Sequence, residues 1–308
     1  MNFTLHQLLV FYQVVQTKSI TKAAEALHLS QPAISIQLKN FQQQFDFSLT
    51  EVVGRKLYVT DFGKDIAIVV EGILNQLKTI DYKTSQRMGK LAGTLKISVV
   101  STGKYIMPYF LTKFLANNTE VNLVLDITNK QKVFESIEKN EVDFSLVSVL
   151  PKLLQVNKIT LMENKLFFVG NTQQAYTNKM YNLNILSKLP ILYREAGSGT
   201  RQTMELFIKK SKLTVQKKLE LNSNEGVKQA IMAGLGFSIM PLIGLKNELI
   251  NKDLQIIPVK GLPLKTEWNL IWLRTKKLSP VAAAYLAFLK VEKQNIINEK
   301  FDWVKNYE

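Results

Sequence analysis

The sequence predicts an α/β protein that carries an all-α, winged-helix domain at its N-terminus. Two observations lead to this fold class. Apolar residues recur every three to four positions through the first ninety residues, which is the period of a helix. From about residue 93 onward, short apolar runs typical of buried strands alternate with helical segments, a pattern that predicts parallel strands covered by helices.

The composition is that of a globular protein, with 46% hydrophobic and 21% charged residues in a chain of 308. Cysteine is absent and only two histidines occur, which argues against disulfides, a metal site and a Ser-His-Asp triad. Without paired carboxylates or an activated nucleophile, we expect neither an enzyme nor a cofactor. No signal peptide or membrane-length apolar run is evident, so we expect a cytoplasmic protein with no membrane partner.

The formal net charge of +15 favours an anionic partner. Residues 1–92 contain ten lysines and arginines against seven acidic residues, whereas residues 93–308 contain thirty against eighteen. A lysine-rich proteome explains this excess as well as a nucleic acid does. A prediction of DNA binding therefore has to rest on residue patterns.

Helix-start signals divide the first part of the chain into three predicted helices. Thr4 is a natural N-cap for a helix with an apolar stripe of Leu5, Leu8, Leu9, Tyr12 and Val15. Ser19 or Thr21 opens a short second helix, which three small side chains allow to pack closely: Ala23, Ala24 and Ala26. Ser30 caps a third helix, and Pro32 fits its first turn because the missing N–H has no partner there.

The third predicted helix has one apolar and one polar face. Its buried face is expected to comprise Ile34, Leu38, Phe41 and Phe45. A short helix, a tight turn and a polar-faced helix make a helix-turn-helix, whose second helix enters the major groove of DNA. There Gln31 and Gln37 are expected to pair with base edges, Ser35 with bases or phosphate, and Lys39 with phosphate.

Residues 49–63 are predicted to form a hairpin beside this helix. Gly54 supplies the turn, Arg55 and Lys56 lie at its tip, and the chain returns as a strand. A basic hairpin tip would contact the DNA backbone or minor groove as a wing. The residues predicted to lie at DNA are therefore Thr21, Ser30, Gln31, Pro32, Ser35, Gln37, Lys39, Arg55 and Lys56.

The runs Ser19–Leu27 and Leu29–Ser35, followed by Thr60–Gly63 at the end of the wing, resemble the signature of LysR-type transcriptional regulators. Two positions depart from it. Ile36 stands where the family usually carries an arginine, and Leu49–Val53 replaces a Leu-Phe-Glu-Arg run. The missing arginine removes one phosphate or guanine contact.

The resemblance implies a division of the chain into a DNA-binding domain, a linker and an effector-binding domain with two lobes like those of periplasmic binding proteins. The implied bounds are 1–63, 64–92 and 93–308, with the second lobe at about 165–267. In this family the linker helix pairs two chains, which implies a homodimer or homotetramer on double-stranded DNA.

The linker segment carries apolar residues at helical spacing without a proline: Ile66, Val69, Val70, Ile73, Leu74, Leu77 and Ile80. Such a stripe requires an apolar partner surface. A second copy of the helix would supply one, and so would the body of the same chain.

Residues 93–308 read as two α/β lobes, and three predicted helix starts carry polar residues where ligands of such sheets bind. These residues are Ser101, Thr102, Arg194, Gly199, Thr200, Arg201 and Asn224. Hydroxyls and helix N-terminal N–H groups bind anions, and two arginines can clamp a carboxylate or phosphate. A tight structural turn at the glycines and a plain N-cap at Ser101-Thr102 remain alternative interpretations.

The runs Val100–Tyr105, Arg194–Arg201 and Ser223–Ala230 resemble the carbon-fixation branch of LysR-type regulators, although alanine replaces the usual proline at position 196. That branch controls Calvin-cycle genes and responds to phosphorylated metabolites or nucleotides. The resemblance thus implies a regulator whose promoter binding is modulated by a small anionic effector, a phosphorylated or carboxylated metabolite, bound between the lobes.

Overall fold

The computed structural model describes residues 2–54, 56–87, 91–173, 175–176 and 179–307. The chain divides into two compact units, Met1–Gly89 and Lys90–Glu308. The elements of the first unit are helices α1 Leu5–Thr17, α2 Ile20–Leu27 and α3 Gln31–Gln42, strands β1 Thr50–Val53 and β2 Lys56–Val59, and helix α4 Asp61–Arg87.

The three short helices begin where the sequence predicts. The hydroxyls of Thr4, Ser19 and Ser30 each accept a hydrogen bond from the first turn of α1, α2 and α3, respectively. Each hydroxyl satisfies one of the N–H groups that a helix leaves unpaired at its start. The predicted N-caps at Thr4 and Ser30 are confirmed. Of the two candidates for α2, Ser19 and Thr21, Ser19 is the N-cap.

The apolar face predicted for α1 is partly wrong. Leu5 is 52% exposed and Leu9 is 38% exposed, whereas Phe11 and Val14 are fully buried. The buried face follows i, i+3, i+4 and i+7 from position 7 and not from position 5. Ala26 of α2, expected at a helix contact, is likewise exposed.

Helix α3 buries Ile34, Leu38 and Phe41, as predicted. The helix ends at Gln42, so Phe45 lies beyond it, half-buried, and stacks edge-on against Phe41 with the ring centroids 5.1 Å apart. The predicted hairpin also ends earlier than expected. Helix α4 begins at Asp61, which places Phe62 and Gly63 in its first turn.

The second unit begins with alternating strands and helices, as predicted. Its elements are β3 Gly93–Val100, a 3-10 turn Ser101–Tyr105, α5 Met107–Asn117, β4 Val121–Thr128, α6 Lys130–Glu138, β5 Phe144–Val147, β6 Val156–Asn171, α7 Ile185–Lys188, β7 Pro190–Arg194, α8 Gly199–Lys210, β8 Gln216–Leu221, α9 Asn224–Met232, β9 Ser238–Pro241, a 3-10 turn Leu242–Gly244, α10 Lys246–Ile250, β10 Leu254–Ile256, β11 Leu264–Leu273, α11 Pro280–Lys300 and a 3-10 turn Asp302–Tyr307.

The strands of the first lobe, β3 to β5, are parallel: β3 pairs with β4 on one side and with β5 on the other. In the second lobe β7 and β8 form a parallel pair. The remaining strands there, β9 and β10, run antiparallel to β6. Helices α5 and α11 pack together on the first lobe, where Phe114 and Tyr285 meet edge-on.

Two long strands join the lobes. β6 pairs antiparallel with β11 over ten residue pairs from Leu264↔Leu166 to Leu273↔Val156. The same two strands also reach the sheets of both lobes, because β11 pairs with β5 and β6 pairs with β9. The seven-stranded sheet therefore runs continuously through both lobes, in the order β10-β6-β11-β5-β3-β4 with β9 beside β6.

Candidate functional site

The residues of α3 predicted to contact DNA lie around its buried face of Ile34, Leu38 and Phe41. Gln31 and Lys39 are exposed, and Ser35 and Gln37 are half-buried on the same helix. Pro32 occupies the first turn, where Ser30 accepts a hydrogen bond from the N–H of Ala33 at 3.4 Å. At about 100° per residue, Gln31, Ser35 and Lys39 follow one flank of the buried face, and Gln37 lies on the other flank.

The start of α2, the start of α3 and the hairpin share one groove of about 530 Å³. It is lined by Lys18, Ser19, Ile20, Thr21, Gln31, Val52, Lys56, Leu57 and Tyr58. The groove brings together three of the predicted DNA-binding residues, namely Thr21, Gln31 and Lys56. It adds Lys18, which the sequence analysis missed. Lys18 ends α1 with a left-handed φ of 50°, directly before the N-cap of α2.

The hairpin carries Gly54 at its turn with φ of +56°, as predicted. Lys56 is exposed at the start of β2. Arg55, predicted at the tip, lies outside the described residues. Two apolar side chains of β1 are exposed: Val52, 67% accessible, lines the groove, and Val53, 59% accessible, points to the opposite face of the strand.

In the second unit, the predicted effector residues gather at the carboxyl ends of strands from both lobes. Ser101 follows β3 directly, and Asn129 and Ser148 follow β4 and β5. Parallel strands end at a common edge of a sheet, so these three positions face the same way. From the second lobe, the loop after β7 completes the pocket, which is lined by Val100, Ser101, Thr102, Asn129, Lys130, Ser148, Glu195, Ser198, Gly199 and Thr200.

The two lobes approach closely at this pocket. A Cβ added at Gly199, the first residue of α8, would lie 3.6 Å from Oγ of Ser148 and 3.9 Å from Cδ of Lys130. The space left at the centre is about 10 Å³, roughly the room of one water molecule. The lobes are thus closed on each other, and a larger ligand requires them to separate.

Arg194 ties together three of the predicted helix starts. It is 3% exposed, and its Nη2 donates to Oγ of Ser101 at 3.1 Å while Nη1 donates to Oδ1 of Asn224. The amide of Asn224 in turn donates to the hydroxyl of Thr102. Four of the predicted effector residues, Ser101, Thr102, Arg194 and Asn224, therefore form one hydrogen-bonded network between the lobes.

Arg201 is directed elsewhere. Its Nε donates to Glu205 at 2.7 Å, and its Nη1 donates to Glu220 at 2.8 Å and to the carbonyl of Arg194 at 3.0 Å. Its guanidinium also lies 5.7 Å from the ring centroid of Tyr193. Neither arginine is among the residues that line the pocket, and the clamp stays a prediction: Arg194 is buried in the network between the lobes, and Arg201 pairs with Glu205 and Glu220.

Lys130 lines the pocket at the first position of α6 and was missed by the sequence analysis. Its ammonium donates to the amide oxygen of Gln202 and lies 5.7 Å from the ring centroid of Phe134, and no carboxylate pairs with it among the described residues. Burial lowers the pKa of its amine below the ordinary lysine value. The signal was present in sequence as Asn129-Lys130, an N-cap and a cation after a predicted strand.

The described residues contain no group of three acidic or histidine side chains arranged to hold a metal ion. No helix within the described ranges is both long enough and apolar enough to cross a membrane.

Two family models match the chain. "Bacterial regulatory helix-turn-helix protein, lysR family" matches residues 5–64, and "LysR substrate binding domain" matches residues 88–293. Together they cover the groove between α2, α3 and the hairpin and the whole of the pocket.

Curated relatives match along nearly the full chain. The HTH-type transcriptional activator CmpR of Synechocystis is 35% identical over 94% of this chain and 95% of its own length. The RuBisCO operon transcriptional regulator of Allochromatium vinosum is 33% identical over 95% of this chain and 97% of its own length. These names agree with the resemblance to the carbon-fixation branch.

Solved structures of LysR-type proteins are similar to this chain. The CcmR regulatory domain of Synechocystis in complex with 2-PG is 28% identical, with a TM-score of 0.63, and covers 66% of this chain and 98% of its own. Full-length CbnR in complex with its target DNA has a TM-score of 0.65 at 18% identity, covering 94% of this chain and 99% of its own, and supports the fold. With both family models matched and a 35% identical regulator aligned almost end to end, the chain belongs to the LysR family of DNA-binding transcriptional regulators.

Proposed function

We propose that this regulator changes its promoter binding when a small anionic effector occupies the pocket formed by Ser101, Lys130 and the start of α8. The observation that carries the proposal is Lys130, a cation in the pocket wall that no carboxylate neutralises among the described residues. The related CcmR domain, which binds 2-PG, supports a phosphorylated effector.

The remaining groups of the pocket suit a phosphate or carboxylate. The N–H groups at the start of α8, at Gly199 and Thr200, lie at the positive end of that helix dipole. The hydroxyls of Ser101 and Thr102 add donors on the opposite wall. The turn at Ser101 belongs to the first lobe and the start of α8 to the second. An anion held by both would favour one separation of the lobes over others.

On the DNA side, we propose that Gln31, Ser35 and Gln37 contact base edges. Lys18, Lys39 and Lys56, and the hairpin tip with Arg55, would contact phosphate. The first turns of α2 and α3, with Thr21, Ser30 and Pro32, would place backbone N–H groups at phosphate. Dimers that associate as tetramers would hold two half-sites, and the effector would change the bend of the DNA between them.

The Lys130→Met variant tests the pocket. Removal of the ammonium from a partly buried anion site is expected to weaken binding of 2-phosphoglycolate by about tenfold to a hundredfold, the range of a hydrogen bond to a charged group. The measurement is calorimetric titration of the full chain. Lys132→Met is the matched control, because Lys132 is exposed two residues further along the same helix.

If Lys130→Met and Lys132→Met bind 2-phosphoglycolate as tightly as the unaltered chain, the anion does not bind at this pocket and the proposal is wrong. If the unaltered chain binds neither this compound nor other phosphorylated or carboxylated metabolites, the anionic class itself is excluded.

A further inference from the structure

Within the described lining of the anion pocket there is a single carboxylate, that of Glu195. Both of its oxygens are engaged by the residue that precedes it. Nε of Arg194 donates to one oxygen at 2.8 Å, and Nη2 donates to the other at 2.9 Å. The carboxylate of Glu195 therefore already pairs with the guanidinium of Arg194, beside the pocket in which an effector anion would bind.

This pairing uses the edge of the guanidinium that recognises anions best. Parallel donation from Nε and Nη2 to two oxygens is the geometry in which arginine binds a carboxylate or phosphate ligand. The remaining contacts of Arg194 go to Ser101 and Asn224. Since Arg194 is only 3% exposed, an external anion reaches that edge only by replacing Glu195.

The backbone of the Glu195 loop is held independently of its carboxylate. The N–H of Glu195 donates to the carbonyl of Leu221 at 2.9 Å, and the N–H of Ser198 donates to the carbonyl of Glu195 at 3.2 Å. The Glu195 side chain is 21% exposed, whereas that of Arg194 is 3% exposed. The carboxylate can thus leave Arg194 for solvent while the loop and the guanidinium stay in place.

We propose that Glu195 is an internal competitor for the effector's anionic group and thereby sets the selectivity of the pocket. The inference rests on the proposed function, because it requires an anionic effector at this site. In the free protein Glu195 acts as a built-in ligand of Arg194, and effector binding exchanges one carboxylate for another anion at the same donors.

The consequence is that anions with a single charged group bind weakly. A carboxylate tethered next to Arg194 competes at a high effective concentration, so a lone phosphate or carboxylate displaces it poorly. An anion that leaves Glu195 in place meets its negative charge instead. A ligand with a second anionic or hydroxyl group can also contact Lys130 and the start of α8, and this added binding overcomes the competition. The geometry therefore selects phosphorylated metabolites that bind at two points.

Neutral variants of Glu195 test the competition. In Glu195→Gln the charge is lost and one acceptor remains; in Glu195→Ala the whole group is lost. Calorimetry on the full chain would give the dissociation constants of inorganic phosphate and of 2-phosphoglycolate. We expect phosphate to bind about tenfold more tightly to both variants, as removal of a like charge from an anion site requires. The preference for 2-phosphoglycolate over phosphate is expected to fall.

The matched control is Glu205→Gln, which removes a carboxylate that pairs with Arg201 and does not line the pocket. It is expected to leave both dissociation constants unchanged. Thermal melting without ligand establishes that each variant is folded.

Unchanged or weaker phosphate binding in both Glu195 variants would overturn the inference, since it would mean that Glu195 only orients Arg194. If 2-phosphoglycolate still bound in a Lys130-dependent manner, the proposed function would survive that result. If neither ligand bound the unaltered chain or the Glu195 variants, both the inference and the proposed function would be wrong.

Discussion

At the scale of single residues, one glycine explains the end of the motif Thr60-Asp61-Phe62-Gly63. The hydroxyl of Thr60 accepts a hydrogen bond from the N–H of Gly63 at 2.9 Å and donates to the carbonyl of Ser48 at 2.6 Å. A Cβ on Gly63 would overlap the carbonyl oxygen of Leu49 and lie 2.9 Å from its carbon. Gly63 therefore lets α4 start directly against the hairpin.

Gly63→Ala is expected to destabilise the first unit by about 3 kcal/mol, because the obstructing atoms belong to the backbone and cannot rotate away. Gly72→Ala lies on the same helix, where an added Cβ meets nothing within 4 Å. That change is expected to stabilise the helix by about 1 kcal/mol. Thermal melting of the full chain measures both. Equal effects of the two substitutions would contradict the contact at Leu49.

Some residues of the pocket could be predicted from their place in the sequence, and others only from the structure. Ser101 and Thr102 open the 3-10 turn after β3, and Asn224 begins α9 after β8, so their positions after strands follow from the sequence. Lys130 was missed although Asn129-Lys130 follows a predicted strand, and Glu195 was missed because the pairing of its carboxylate with Arg194 depends on side-chain geometry. Arg201 resembles a second clamp in sequence, yet Glu205 one helical turn later pairs with it.

At the scale of elements, the first half of α4 packs against its own domain. Val70 is 2% exposed and Ala67 7% exposed within the core of the first unit, and three half-buried side chains pack on that core: Ile66, Ile73 and Leu74. Val69, which belongs to the predicted stripe, is 60% exposed. Its neighbour Ile68, outside the stripe, is 69% exposed. The side chain of Ile80 lies outside those described. The body of the same chain therefore covers one face of this helix, and pairing with a second copy through the exposed face stays a prediction.

Substitutions on these two faces are expected to separate stability from self-association. Val70→Ala removes buried methyl groups and is expected to cost about 2 kcal/mol of stability. Val69→Ser alters an exposed position and is expected to weaken dimer formation, lowering the melting temperature only by the stabilisation that association provides. Melting and sedimentation of the full chain measure the two properties. A Val69→Ser chain that assembles as the unaltered chain does would place the dimer contact elsewhere.

The sequence predicts elements well where the signals are local. The caps at Thr4 and Ser30 mark helix starts correctly, and the β-α-β pattern gives the parallel strands of the first lobe. The long strand β6 was not predicted, because its first half mixes polar residues into the run. It pairs instead with β11, about a hundred residues away, in a register such as Thr266↔Asn164. Local patterns carry no information on such a partner.

At the scale of the whole molecule, the second unit contains a contact between lobes besides the effector pocket. The hydroxyl of Tyr105 in the first lobe donates to Glu225 of α9. Lys228 lies buried between Glu225, at 3.0 Å, and Glu248, at 2.7 Å. Because Glu225 follows Asn224, which binds Arg194 and Thr102, the first turn of α9 connects the pocket network to this ion cluster. A change in lobe separation at the pocket would therefore also act on this contact.

The net charge of +15 favours an anionic partner, and most of the excess of basic residues lies in residues 93–308. The pattern of caps and the polar face of α3 predict the DNA-binding function more firmly than charge does. The basic excess instead suits a unit that takes an anion, and Lys130 is where that charge faces a pocket.

The central claim is that an anion in this pocket changes how the protein holds DNA. The most direct test is a nuclease footprint of the full chain on a DNA fragment it selects, across a titration of 2-phosphoglycolate. The account predicts a change in the protected region, half-complete at the calorimetric dissociation constant and displaced to higher concentration in Lys130→Met. A footprint that stays the same when the pocket is saturated would contradict it.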